Sequence, residues 1–393
     1  MLGSPIARGR TSGILQADEE LKALPEPDKK AEPIILAIDA MGGDRGPEPV
    51  VAGAALALAA RNDINVHFYG DRDELERLVA DQPSLANAKI IHADGVVSMT
   101  DKPAQVLRRG RNTSMWSAIE AVKNGDAQAI LSGGNTGALM AMSKLQLRMI
   151  EGVDRPAITA LWPTPRGRSV VLDVGANVEA NAEQLVQFSI MGEAFFRAMT
   201  GTEKPSVGLL NVGAEELKGR DVIKTAARIL KEAGPEIAFS GFIEGNDISK
   251  GTVDVVVTDG FTGNVAIKTA EGAARLLGSW VKEALTGSLL AKIGALLMMG
   301  ELKKLKARMD PSAANGGVFL GLNGTVVKSH GGADANGVAA AITMAANLAG
   351  HSYQEQISKT IARISERSIA TLATPSNQSQ NPENQSENIK AVV

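Results

Sequence analysis

Two short stretches of this chain repeat the same order of glycine and threonine. Gly134-Asn135-Thr136-Gly137 follows the apolar run Ala129-Ile130-Leu131, and Gly260-Phe261-Thr262-Gly263, with Asn264 behind it, follows Val255-Val256-Val257. A helix-like pattern succeeds each. A buried strand that feeds a glycine turn and then a helix start leaves backbone N–H groups free, and the helix dipole there favours negative charge. Threonine adds a hydroxyl, and glycine lets the backbone approach a ligand. The pair predicts one substrate with two polar anchors, or two substrates meeting in one cleft.

Further polar residues stand at the ends of predicted strands: Asp39 before Ala40-Met41-Gly42-Gly43-Asp44, Asp173 before Val174-Gly175-Ala176-Asn177, and Asn211 before Val212-Gly213. In open α/β sheets, ligands bind beyond the carboxyl ends of strands. Asp39, Asn135, Asp173, Asn177, Asn211 and Thr262 are therefore expected on one rim. The plainer alternative is that each merely caps the next helix. Lys268 is expected one turn into the second helix. Lys328 and His330 alternate along a predicted strand and so share a face, beside the glycine pair Gly331-Gly332.

Several chemistries are excluded. The chain has no cysteine, which removes thiolate nucleophiles, disulfides and cysteine-based zinc sites. Its four histidines have unrelated spacings, so no metal and no cofactor is expected. The dinucleotide pattern Gly-x-Gly-x-x-Gly, the Walker A loop and the Gly-x-Ser-x-Gly elbow are all missing. A net charge of −3 speaks against a general nucleic-acid binder.

These residues need a scaffold. Short Val/Ile/Leu-rich runs alternate with longer helical patterns from about Pro33 to Ala370. Strands are expected at Ile34–Ile38, Asn65–Tyr69, Lys89–His92, Ala129–Leu131, Ala157–Leu161, Ser169–Asp173, Ser206–Leu210, Ile237–Phe242 and Val253–Thr258, with two more within 316–332. Several are apolar on both faces, as in a parallel sheet covered by helices. The expected fold is a three-layer α/β/α sandwich with a mostly parallel sheet. Residues 33–370 are read as one catalytic domain, and 1–32 and 371–393 as disordered polar extensions. With 44% hydrophobic but only 3% aromatic residues, the core must be built from Ala, Val, Leu and Ile.

Residues of about 270–308 differ. Ala273, Leu276, Leu277, Trp280, Val281, Ala284 and Leu285 recur at helical spacing. A nearly continuous apolar run, 289–299, and a basic stretch with Lys303, Lys304, Lys306 and Arg308 follow. The segment reads either as a core or dimer-interface helix pair, or as a membrane-surface contact through Leu289, Leu290, Ile293, Leu296 and Leu297, too short to span.

The ordered set Ala37-Ile38-Asp39-Ala40-Met41-Gly42-Gly43-Asp44, Ser132-Gly133-Gly134-Asn135-Thr136-Gly137, Leu172-Asp173-Val174-Gly175-Ala176-Asn177, Asn211-Val212-Gly213, Gly241-Phe242-Ile243-Glu244-Gly245-Asn246, Thr258-Asp259-Gly260-Phe261-Thr262-Gly263-Asn264 and Lys328-Ser329-His330-Gly331 resembles the phosphate acyltransferase family of PlsX type, the acyl-acyl-carrier-protein:phosphate acyltransferases. The resemblance covers about 34–349. It implies a fold similar to the isocitrate dehydrogenase and phosphotransacetylase group and a homodimer. It also implies transfer of a long acyl chain from acyl carrier protein to inorganic phosphate. The acyl phosphate would then serve a membrane glycerol-3-phosphate acyltransferase, with the enzyme cytoplasmic and peripherally associated with the inner face of the cell membrane.

Under that resemblance, Asn135, Lys268, His330 and Asp173 are the expected catalytic residues. Gly134, Thr136, Gly137, Asn177, Asn211, Gly260, Thr262, Gly263, Asn264 and Lys328 are the expected substrate contacts. The acidic carrier protein would dock on Arg108, Arg109 and Arg111 or on Lys303 and Lys304. Which glycine turn holds phosphate and which the thioester stays open. The rivals are a small-acyl-CoA phosphotransacetylase, a decarboxylating dehydrogenase of the same fold, and a non-catalytic membrane or carrier-protein scaffold.

Overall fold

The structure, a computed structural model, describes residues 33–302, 316–351 and 353–373. Eleven strands form one sheet: β1 (Ile34–Asp39), β2 (Ile64–Gly70), β3 (Lys89–His92), β4 (Ala129–Ser132), β5 (Ala157–Thr164), β6 (Gly167–Leu172), β7 (Ser206–Leu210), β8 (Ala238–Ile243), β9 (Val255–Val257), β10 (Gly317–Leu320) and β11 (Thr325–Lys328). Their order is β3-β2-β1-β4-β11-β10-β5-β6-β9-β7-β8. Alternate side chains enter opposite cores, as the two-residue period requires. Leu36 and Ile38 of β1 join the larger core, and Ala37 between them joins the smaller one. The helices Glu48–Ala60 and Ala335–Ala349 cover the first face, and Ser114–Asn124 and Thr136–Leu147 the second. This is the expected three-layer α/β arrangement.

The sheet is parallel on both flanks and antiparallel at β11–β10, β10–β5 and β5–β6. Strands β6, β9, β7 and β8 therefore run opposite to β1–β4. Register brings the two sets of carboxyl ends level. Lys328, the last residue of β11, pairs with Ser132, the last of β4, and with Gly317, the first of β10. The Val318 N–H next to Gly317 donates to the Thr159 hydroxyl at 2.9 Å. Thr159 pairs with Leu172, the last residue of β6, which pairs with Val257, the last of β9. The ends of β4, β11, β6 and β9 thus lie on one line across the middle of the sheet.

Three expectations need correction. The second helix, Gly260–Thr286, starts at Gly260, so its Gly-x-Thr-Gly is the first helical turn and not a turn before the helix. That helix begins some ten residues before the segment expected from composition. It is 27 residues long, about 40 Å at 1.5 Å per residue, and only Gly260 and Gly263 in it are buried. It forms an arm, with the helix Leu289–Leu297 packed against it. The core-helix reading fails within one chain, because Leu276, Leu277, Trp280 and Val281 are about half exposed, and Leu289 and Leu290 are 77% and 81% exposed. Ile293, Leu296 and Leu297 are also exposed. Third, the last helix runs to Ala373, three residues into the expected polar tail. Among the described residues, no helix is long and apolar enough to cross a membrane. Residues 1–32, Lys303, Lys304, Lys306 and Arg308 lie outside the described residues.

Candidate active site

The first motif opens the helix Thr136–Leu147. Asn135 is its N-cap: its side-chain oxygen accepts the Ala138 N–H at 3.0 Å, the local reason the helix begins there. The same amide donates to the carbonyls of Ser98, Met99 and Asp101 at 3.3, 2.9 and 3.0 Å. Asn135 therefore clamps the 98–101 loop onto the helix start. Its side chain is engaged on both ends, by the cap and by the loop. The Gly134 N–H turns inward to the Ser132 hydroxyl at 3.0 Å. Among the described residues, no acceptor takes the N–H of Asn135, Thr136 or Gly137. The first motif thus leaves three backbone donors at a positive helix end.

The second motif is closed. Gly260 and Phe261 donate to the carbonyls of Asn177 and Val178 at 2.8 and 3.3 Å. Thr262 donates to the Asp259 carboxylate at 2.8 Å, and Gly263 to the Asp259 carbonyl at 2.9 Å. The cap here is an acid, Asp259, which is buried and ion-paired with the Arg220 guanidinium. Burial pushes Asp259 up, but the Thr262 hydroxyl and N–H and then Arg220 outweigh it, and its pKa ends below the ordinary carboxylate value. A substrate finds no free donor in Gly260, Thr262 or Gly263, so their expected contacts with substrate through the backbone are not available.

Asp173 and Asn177 build the wall behind this second turn. Asp173 accepts the N–H groups of Ile158, Gly175, Ala176 and Asn177 at 3.0, 3.2, 3.0 and 2.7 Å, and the Asn177 amide at 3.0 Å. Asn177 also donates to the Pro156 carbonyl at 2.8 Å. Burial raises the Asp173 pKa, against all of those bonds. Both oxygens of Asp173 are thus engaged by the 175–177 loop and by the start of β5. Asn264 faces Gly175 across this wall. Asn211 lies at the end of β7, buried, donating to the Gly213 and Lys218 carbonyls at 3.1 and 3.0 Å. It shapes the 211–219 loop.

Lys328 is buried at the end of β11. Its ammonium donates to the Gly133 carbonyl at 3.1 Å and to the Ser329 carbonyl. Burial lowers its pKa from 10.5 to about 8, with Asp39 and Asp44 opposing and Lys268 adding to the fall. The two halves of the molecule thus meet here: the arm's Lys268 acts on the ammonium held beneath the first motif. Lys268 itself is the ninth residue of its helix, about two turns in and one more than expected, and pairs with Glu271 at 3.3 Å. His330 does not share a strand face with Lys328, because β11 ends at Lys328. It sits in the exposed loop beyond, where its Nδ1 accepts the Gly332 N–H at 3.1 Å.

A hollow beside the first motif is lined by Asp39, Gly42, Arg45, Gly133 and His330. Arg45, Ser114 and Ser132 are the residues sequence reasoning missed. Arg45 follows the expected strand-end loop, a signal that was present. The serines come to the hollow only through the fold, donating to the buried Asp39 carboxylate from 75 and 93 residues away in the chain. Arg108, Arg109 and Arg111 are exposed, and none is ion-paired among the described residues. The helix that carries two of them, Pro103–Arg109, packs on the first motif, since a side chain at Gly137 would touch Pro103 at 3.0 Å. No cluster of metal-ligating residues exists among the described residues.

Residues 34–356 match the family model described as "Fatty acid synthesis protein". A phosphate acyltransferase of Maricaulis maris is 56% identical over 326 residues, 82% of this chain and 93% of that protein. One from Parvibaculum lavamentivorans is 54% identical over 334 residues, 84% of this chain and 92% of that protein. Among solved structures, a phosphotransacetylase from Staphylococcus aureus superposes with a TM-score of 0.55 at 16% identity, covering 85% of this chain and 98% of that one. At that identity the likeness is one of fold.

Proposed function

This chain belongs to the fatty acid synthesis protein family of phosphate acyltransferases, and from that premise we propose that it transfers a long-chain fatty acyl group from acyl-acyl carrier protein to inorganic phosphate. Phosphate sits at the first motif. The observation that supports this is the contrast in donors: the N–H groups of Asn135, Thr136 and Gly137 are open beside the Lys328 ammonium, whereas the second motif is closed by its own Asp259.

A phosphate oxygen attacks the thioester carbonyl carbon, a C–O bond forms and the C–S bond breaks. The leaving thiolate has a pKa near 8.5, so it departs without strong acid catalysis and takes its proton from solvent. No covalent acyl-enzyme is involved, in keeping with a chain that has no cysteine. Lys328, with Arg45 and His330 at the hollow's edge, holds the anion and offsets charge as the oxyanion develops. A preorganised donor of that kind is worth about 3–4 kcal/mol.

The carrier protein docks on Arg108, Arg109 and Arg111, next to the first motif. Charge reversal at Arg108 and Arg109 should raise the KM for acyl-acyl carrier protein about tenfold at low salt, and unchanged kinetics excludes this face. The arm works with a second copy of the chain, and its apolar tip at Leu289, Leu290, Ile293, Leu296 and Leu297 rests on the membrane surface, delivering acyl phosphate to a membrane acyltransferase. Leu290→Asp with Leu297→Asp should abolish flotation with anionic vesicles; retained flotation removes the tip from this role. The function itself is tested by incubating the protein with palmitoyl-acyl carrier protein and labelled phosphate. Phosphate-dependent acyl phosphate is expected, with acetyl-CoA a poor donor; turnover of acetyl-CoA alone would instead place the enzyme with the small-acyl phosphotransacetylases.

A further inference from the structure

We propose that Asp39 is a positioning residue for phosphate, acting through Ser132 on the first motif and through its charge on Lys328. This deepens the phosphate reading above and rests on it. Asp39, Ser132 and Lys328 occupy paired positions of three neighbouring parallel strands, so their side chains stand in a row on one face of the sheet.

Asp39 is 2% exposed and receives a hydroxyl on each oxygen, Ser114 on Oδ1 and Ser132 on Oδ2, both at 2.6 Å. The Ser132 oxygen accepts the Gly134 N–H at 3.0 Å. One carboxylate thereby fixes the first link of the turn whose next three N–H groups are open. Burying a carboxylate is costly unless donors are supplied, and short hydroxyl bonds to an ionised group are among the stronger ones. Burial pushes Asp39 up, against the two serines, the Met41 N–H and Lys328, all of which favour the charged form. A side chain at Gly42 would collide with the Asp39 carboxylate, so the loop after β1 closes directly over it. Asp39 therefore reaches substrate only through its neighbours. The groups that face Lys328 are Asp39, Asp44 from the loop after β1 and Lys268 from the arm, with Arg45 and His330 on the hollow. Asp39 and Asp44 favour the ammonium, and Lys268 opposes it.

The test compares the full-length chain with Asp39→Asn, folding checked by circular dichroism. The measurement is kcat/KM for phosphate against pH, with acyl-acyl carrier protein as donor. Removing the carboxylate charge should move the alkaline limb to lower pH by about one unit, the low end of the effect of a neighbouring opposite charge. A limb left at the wild-type pH overturns the proposal. A second measurement needs no turnover: the pH profile of Lys328 acylation by acetic anhydride, read by mass spectrometry, should move the same way, and an unmoved profile overturns it. If Asp39→Asn does not fold, Ser132→Ala tests the link to the turn. The KM for phosphate should rise about threefold or more, as for one lost hydrogen bond, with kcat little changed; an unchanged KM overturns the link. Wild-type protein that makes no acyl phosphate overturns the functional reading instead, and the labelling profile still decides the role of Asp39.

Discussion

The two Gly-x-Thr-Gly helix starts look alike in sequence and do opposite things in the fold. At Asn135 the cap is neutral, and three N–H groups beyond it have no acceptor among the described residues. At Asp259 the cap is a buried acid, and the four N–H groups from Gly260 to Gly263 all meet protein acceptors. An anion entering the second site would have to displace a carboxylate that is already paired with Arg220. The difference shows that a helix N-terminus is an anion site only where the fold leaves its donors unspent. The second start anchors the arm on the 173–177 loop, with the Gly260 N–H donating to the Asn177 carbonyl.

The sharpest way to break this comparison is at the cations. Lys328→Met should lower kcat/KM for phosphate about 10²–10³-fold, the usual loss for one preorganised donor. Thr262→Ala at the second start should change it by no more than about threefold, as for a single neutral hydrogen bond. Equal losses would mean both starts bind substrate. The wild-type enzyme should also lose activity as pH rises past about 8, because burial brings the Lys328 ammonium down to that pKa and the deprotonated amine no longer attracts phosphate. In Lys328→Met that limb should vanish.

Much of the scaffold is legible in the sequence because strand periodicity and strand-end polarity are local signals. The edges of β1, β4 and β7 fall within a residue or two of expectation, and Asp173 does follow β6 directly. The division of labour between the two starts is not legible. It depends on Asp173 and Asn177 folding back on Gly260, on Arg220 reaching Asp259 across 39 residues, and on Asn135 reaching the 98–101 loop. Asn135 and Asp173 read as chemistry because amide and carboxylate side chains at strand ends suit both catalysis and capping, and only the partners decide. Lys268 is misplaced for a local reason: the helix begins at Gly260, inside the motif and not after it.

The glycines give the next largest effect. A Cβ on Gly263 would collide with the Asp173 carbonyl oxygen, and one on Gly260 with that of Asn177. Backbone atoms cannot move aside, so Gly263→Ala should cost about 2–3 kcal/mol of stability, the upper range for overpacking. At the first start, a Cβ on Gly137 meets only the Pro103 ring at 3.0 Å, with the Asn135 amide oxygen next at 3.6 Å. Gly137→Ala should therefore leave the melting temperature within a few degrees, a shift of well under 1 kcal/mol, while raising the KM for phosphate by crowding the open donors. Urea unfolding of the two variants beside phosphate kinetics checks both halves. If Gly137→Ala unfolds the protein and Gly263→Ala does not, the assignment of open and closed starts is reversed.

The smallest effect separates the two caps by pH. Asp259→Asn keeps an acceptor for the Thr262 N–H, so the helix start survives, but the ion pair with Arg220 is lost. Arg220 is largely solvent-exposed, so screening keeps the loss to about 1 kcal/mol. The Asp259 pKa is lowered by folding. Its contribution is therefore complete above the unfolded aspartate value of about 3.9 and disappears as pH falls through the lower, folded value. Wild type and Asp259→Asn should differ in unfolding free energy at pH 6 and converge at acid pH, once it has fallen through the folded value, with phosphate kinetics at pH 7 within about twofold of each other. Asn135→Ala, by contrast, removes a cap worth about 1 kcal/mol and carries no carboxylate, so its deficit should persist at both pH values. A pH-independent deficit for Asp259→Asn would assign the closure of the second start to backbone bonds alone and leave its carboxylate without a role.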